Sequence, residues 1–217
     1  MDQDLLQKLA KKEITKQQLF EAVESDIDLV PIVIEGVSSS KASIRYGCAK
    51  VLMDLSARHP EKIYPHMDFF ISLLESKHRI LIWNAMAIIA NLCPVDAENK
   101  FEAIFNKYYS FLSDEYMVTV ANVVANSAQI ALAKPHLVPK IADQLLSVEK
   151  ISISPHLTSE CRRVIAQHAV KSLDQFFDKL DSDRKTKVIS FVRKQVHTSR
   201  TSLKKEAELF LKHWNPG

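Results

Sequence analysis

Three Pro-His pairs, Pro65-His66, Pro135-His136 and Pro155-His156, are the most regular arrangement of chemically capable residues in this sequence. A general base or a metal ligand needs partners that converge on it. The eight histidines are dispersed instead, and no His-Glu-x-x-His or Gly-x-Ser-x-Gly pattern accompanies them. The plainer reading is a tolerated polar residue in a first helical turn. Asp181 and Asp183 flank a serine, and helix capping explains them better than metal binding does. Cys48, Cys93 and Cys161 are odd in number, far apart and set in apolar sequence, which predicts buried free thiols and a reducing compartment. No catalytic residue, metal site, cofactor or small-molecule substrate is expected.

Charge carries more information. Residues 1–100 hold 12 Lys and Arg against 14 Asp and Glu, whereas residues 101–217 hold 17 against 12. The stretch 184–205, RKTKVISFVRKQVHTSRTSLKK, contains eight basic residues and no acidic one. Lys187, Ser190, Lys194 and His197 share a helical face there, and Lys187, Arg193 and Lys194 form a candidate anion or nucleic-acid patch. A solvated end-cap, which repeat arrays need for solubility, is the competing reading.

The elements that must position these residues are helices. Glycine occurs only three times, at Gly36, Gly47 and Gly217, which disfavours phosphate loops and hairpin-rich β folds. Helix signals recur every fifteen to twenty residues. Thr15 and Gln18 have the capping-box form, and Asp26 can cap the next helix. Ser40 starts another, Pro60 opens one to Glu75, and Ser76 caps the apolar stretch RILIWNAMAIIANLCP at residues 79–94. Asp96, Ser113 or Asp114, Pro135, Ser154-Pro155, Asp181 or Ser182, and Ser199 begin the rest, giving about twelve helices. The stretch 79–94 is too short and carries too many amides for a membrane span. The charged N-terminal segment has no signal-peptide core, so a cytoplasmic protein is expected.

A period near forty can be tested by columns. Cys48, Ala85, Ala121, Ala166 and Ala207 are all small. Three residues on stand Val51, Ile88, Val124, Ala169 and Phe210, and seven on stand Leu55, Leu92, Ala128, Leu173 and Trp214. Positions 0, +3 and +7 share one helical face, so these columns predict the core stripe of the second helix in each pair. A polar column, Asp54, Asn91, Ser127, Ser172 and His213, lies about 100° round the helix and predicts a ridge for a protein partner.

The pattern resembles HEAT repeats, with armadillo repeats as the near relative. Pro31 precedes Arg45 by fourteen residues, Pro65 precedes Arg79 by fourteen, and Pro139 is a third such proline. After an insertion, VEKISISP, Arg162 or Arg163 takes the arginine's place. The resemblance covers residues 26–214. It implies an all-α, right-handed α-α superhelix of about five helical hairpins, with residues 1–25 as a cap and 26–217 as the array. The implied function is a non-catalytic scaffold or adaptor binding an unidentified protein partner. The alternatives are a nucleic-acid module using residues 184–205 and a HEAT-like DNA glycosylase. Trp83 and Trp214 could stack on bases, but no catalytic set of that enzyme family accompanies them.

Overall fold

The computed structural model describes residues 2–214, and side chains from residue 5 onward. Its contacts divide into two compact units, Met1–Ala103 and Ile104–Gly217. The first holds α1 (Asp2–Lys11), α2 (Lys16–Ser25), α3 (Val30–Val37), α4 (Ala42–Arg58), α5 (Pro60–Ile63), α6 (Met67–Ser72) and α7 (Arg79–Leu92). The division falls within α8 (Lys100–Ser110). The second holds α9 (Met117–Ala133), α10 (Val138–Leu146), α11 (Ser159–Asp174), α12 (Ser182–Gln195) and α13 (Thr201–Trp214). Segments α5 and α6 are the halves of the helix expected from Pro60 to Glu75. They part at the 3-10 turn Tyr64–His66, where Pro65 has no N–H to donate. Counted as one, they make twelve helices among the described residues.

Local chemistry sets most of the boundaries. The Thr15 hydroxyl accepts from the Gln18 amide at 3.1 Å, and the Thr15 amide donates to the Gln18 side chain at 2.8 Å, a complete capping box. Asp96 accepts from the amides of Lys100 and Phe101 at 2.9 and 3.0 Å, and also from the Tyr64 hydroxyl. Asp181 caps α12 through the Arg184 amide at 2.8 Å.

Several starts differ from expectation. Helix α4 begins at Ala42 without a cap from Ser40. Asp114 does not cap α9 but accepts from the Tyr116 amide before the helix starts at Met117. Ser76 does not cap α7; its hydroxyl accepts from the His78 amide, and the helix begins at Arg79. Ser154-Pro155 does not open a helix either. Ser154 and Leu157 exchange two backbone hydrogen bonds across a tight turn. Thr158 then caps α11 by accepting from the Cys161 amide. The turn takes up Pro155 and His156, so the helix starts only after Thr158.

Within each unit the helices form two layers. In the first, α4 packs on α7 and both receive first-of-pair helices, α3 on α4 and α6 on α7. In the second, α9, α11 and α13 pack in succession, and α10 and α12 pack together beside them. The small-residue column sits at the helix contacts: Cys48, Ala85 and Ala207 are fully buried and Ala166 nearly so. Ala121 is only half-buried. All five residues of the +3 column are buried.

Two of the arginines that follow a proline in the repeat pattern act on the turns. Arg45, at the start of α4, donates through Nη1 to the Ser39 carbonyl at 2.8 Å and lies over the Tyr46 ring. Arg162, at the start of α11, donates to the Glu149 carbonyl at 2.9 Å. Each ties the second helix of its pair to the turn that leads into it, so Arg162, not Arg163, is the equivalent of Arg45.

Candidate partner-binding site

The polar column is not a continuous ridge. Ser127 and Ser172 are buried. The Ser127 hydroxyl donates to the Val123 carbonyl at 2.8 Å and accepts from the Tyr109 hydroxyl at 3.0 Å. The Ser172 hydroxyl donates to the Val124 carbonyl at 2.7 Å, joining α11 to α9. Half-buried Asn91 joins α7 to α4 by donating to the Ser56 hydroxyl at 2.9 Å and, at 3.5 Å, to the Met53 carbonyl. These side chains serve as seams between helices, because a polar group at a closely packed contact must find an acceptor there. Asp54, half-buried like Asn91, is paired with Lys50, and His213 is exposed and stacked on Trp214.

The α11–α13 seam continues the pattern. Gln167 accepts from Arg200 and Ser202, Lys171 pairs with Glu206 at 3.2 Å, and Trp214 donates to Asp174 at 2.6 Å. Trp214 is thereby fixed as a structural residue, with its ring also against Phe177. Its indole edge is occupied, which removes one of the two tryptophans offered for base stacking.

The basic stretch is largely neutralised by carboxylates from other segments. Arg184 binds Asp143 and Asp181, both at 2.7 Å, and also reaches the Pro139 carbonyl. Lys187 pairs with Asp183 at 2.6 Å, Lys194 with Glu149 at 3.1 Å, and Arg200 with Glu160. These pairs hold the Lys187 ammonium above its ordinary range, chiefly through the Asp183 hydrogen bond, and the Glu160 carboxyl below its own, chiefly through Arg200. Arg193 is exposed and has no ion-pair partner among the described residues.

Along α12 runs a concavity of the second unit. A cavity of about 420 Å³ is lined by Arg162, Arg163, Lys194 and His197 over an apolar floor of Val148, Ala166 and Phe191. An adjoining cavity of about 380 Å³ is lined by Lys150, Lys187, Lys194 and Asp143. Glu149, Phe191 and Lys194 border both, so the two adjoin across the Lys194–Glu149 pair as the groove along α12. Ile153, 56% exposed, stands at its rim. The sequence had indicated Lys187, Arg193 and Lys194. It had not indicated Lys150, Glu149 or Arg162 as their neighbours; the insertion at residues 148–155 was the available signal. Among the described residues no group of three or more His, Cys, Asp or Glu side chains is placed to hold a metal ion, and no helix is long and apolar enough to cross a membrane.

No protein-family model matches the chain, and no curated protein matches it in sequence. Solved structures do match its fold. A designed armadillo repeat protein, YIII(Dq)4CqI, is similar with a TM-score of 0.65 at 15% identity, covering 97% of this chain and 92% of its own. A second, YIII(Dq.V1)4CPAF in complex with the peptide (KR)4, gives a TM-score of 0.68 at 14% identity, covering 98% and 92%. A third, from computationally designed armadillo repeat proteins for modular peptide recognition, gives 0.63 at 16% identity, covering 98% and 91%. The fold is therefore an all-α repeat solenoid of the armadillo and HEAT-like kind.

Proposed function

We propose that this chain is a non-catalytic scaffold that binds a segment of a protein partner on the surface of its helical array. The observation that carries the reading is the groove along α12, with an apolar floor, a charged rim and space for an extended chain. One similar designed solenoid is in complex with the peptide (KR)4 and another was designed for modular peptide recognition, which supports it by analogy of fold. Three free thiols fit a cytoplasmic setting. The nucleic-acid reading draws less support, because Lys187, Lys194, Arg184 and Arg200 are already paired with carboxylates.

The test is selection of a random displayed peptide library on the immobilised chain. The expected result is enrichment of related peptides that compete with one another in solution. Failure to enrich any competing family removes the scaffold reading.

A further inference from the structure

We infer that the groove along α12 takes an acidic, extended peptide segment, and that Glu149 occupies its central cation when the groove is empty of partner. This rests on the reading of the chain as a protein-binding scaffold. The argument begins with unequal pairing. Among the described residues, Lys150, Arg162 and Arg193 have no carboxylate at ion-pair distance. All three border the groove or the shallow cavity of about 540 Å³ beside it, which Arg193, Lys194 and His197 line. Cations left unpaired around a concavity favour an anionic occupant.

Lys194 sits where the cavities meet, and its ammonium is held by both oxygens of Glu149, at 3.1 and 3.3 Å. Glu149 is itself anchored through its main chain by Arg162, so its backbone is held in place independently of Lys194. A partner carboxylate would replace that of Glu149 on Lys194 and gain Arg162 or Arg193 as well.

Spacing favours an extended segment. Lys187 and Lys194 are seven residues apart on one helix, which is about 10 Å along its axis. Chain in the extended polyproline-II form, which brings residues i and i+3 to one face, covers that distance in about three residues. The fitting pattern is two acidic residues three apart with an apolar residue between them, seated against Leu146 in the cavity that Lys187 and Lys194 share.

A nucleic acid fits less well. Its charge falls at every nucleotide, so its backbone would meet Asp143 and Glu149, whereas a peptide places acids only opposite cations. The aromatic ring in the groove, Phe191, is 1% exposed and offers no stacking face.

The experiment is fluorescence anisotropy of the intact chain with a labelled dodecapeptide of Glu and Asp carrying two Leu. A Lys and Arg peptide of the same length and a single-stranded dodecathymidylate serve as comparators. The acidic peptide is expected to bind about tenfold more tightly than either, with affinity falling as salt rises. Arg193→Glu, at an exposed position that leaves folding intact, is expected to weaken it about tenfold, and Arg193→Glu with Lys194→Glu further. Glu149→Gln is expected to tighten it about threefold by releasing Lys194. Equal or tighter binding of the oligonucleotide overturns the inference, as does a Glu149→Gln variant that binds the acidic peptide no better. If library peptides bind but the acidic one does not, the inference fails and the scaffold reading stands. If neither binds, both fail.

Discussion

Gly36 on α3 lies directly against Cys48 on α4: a Cβ built on Gly36 would stand 2.5 Å from the Cys48 sulfur. Both residues are buried. The glycine is helical and exists for close approach, not for a turn, and it faces the first member of the small-residue column. Gly36→Ala is therefore expected to destabilise by roughly 1–3 kcal/mol through overpacking, and Cys48→Ala in the same chain to restore part of the loss. Gly47→Ala makes the control. Its Cβ would meet the flexible end of Leu9 at 2.9 Å, and it gains about 1 kcal/mol of helix propensity, so its net effect should be small. Denaturant unfolding of these three variants beside the unchanged chain measures this.

The seam serines and Asn91 carry stability, not surface. Ser172→Ala removes the bond to the Val124 carbonyl and is expected to cost about 1 kcal/mol. Asn91→Leu strips the Ser56 hydroxyl of its donor and is expected to cost about 1–2 kcal/mol. Asp54→Ala, which breaks only an exposed pair with Lys50, should stay within about 0.5 kcal/mol. Thermal melts that show all three variants equal would put Asn91 and Ser172 on the outside after all.

The contrast shows what sequence could and could not reveal. The columns at Cys48, Val51 and Leu55 were legible because apolar residues announce the packed face by their type. Caps at Thr15, Asp96 and Asp181 were legible because capping is chemistry between residues a few positions apart. A serine such as Ser172 reads identically whether it faces water or a neighbouring carbonyl, and only packing decides. The groove needed more still: Lys194 and Glu149 are 45 positions apart. An insertion whose turn closes on Ser154 and Leu157 separates Glu149 from α11.

The thiols should separate by accessibility. Burial pushes the Cys48 thiol up to about 12, so it carries almost no thiolate at pH 8. Cys93 is buried as well. Cys161 is half-buried near the start of α11, with the Thr158 hydroxyl 3.2 Å from its sulfur. A disulfide reagent at pH 8 is expected to modify one thiol per folded chain quickly, and all three once denaturant is added. Cys161→Ser should abolish the fast phase; a fast phase that survives would place Cys48 or Cys93 in contact with solvent.

Acidification should weaken the fold first through its histidines. Burial lowers the His168 pKa, and the positive charges of Lys171 and Arg200 lower it further. His66 is lowered by burial alone. A base whose pKa falls on folding is neutral in the native chain while the unfolded chain already takes up a proton, so stability is full above the ordinary value near 6.5 and is lost as pH drops through the depressed one. The carboxyls of Glu24, Glu160 and Asp181 are also lowered on folding, Glu24 and Glu160 chiefly by side-chain hydrogen bonds to His59 and Arg200, and Asp181 by the Arg184 amide. Their contribution is likewise present above the ordinary carboxylate range and lost below it. That loss lies at lower pH, so the two windows do not overlap between pH 7.5 and 5.5. Across this window the melting temperature is expected to fall, and His168→Gln is expected to reduce the fall without changing its direction. An equal fall in His168→Gln would show that His168 protonates as freely in the folded chain as in the unfolded one.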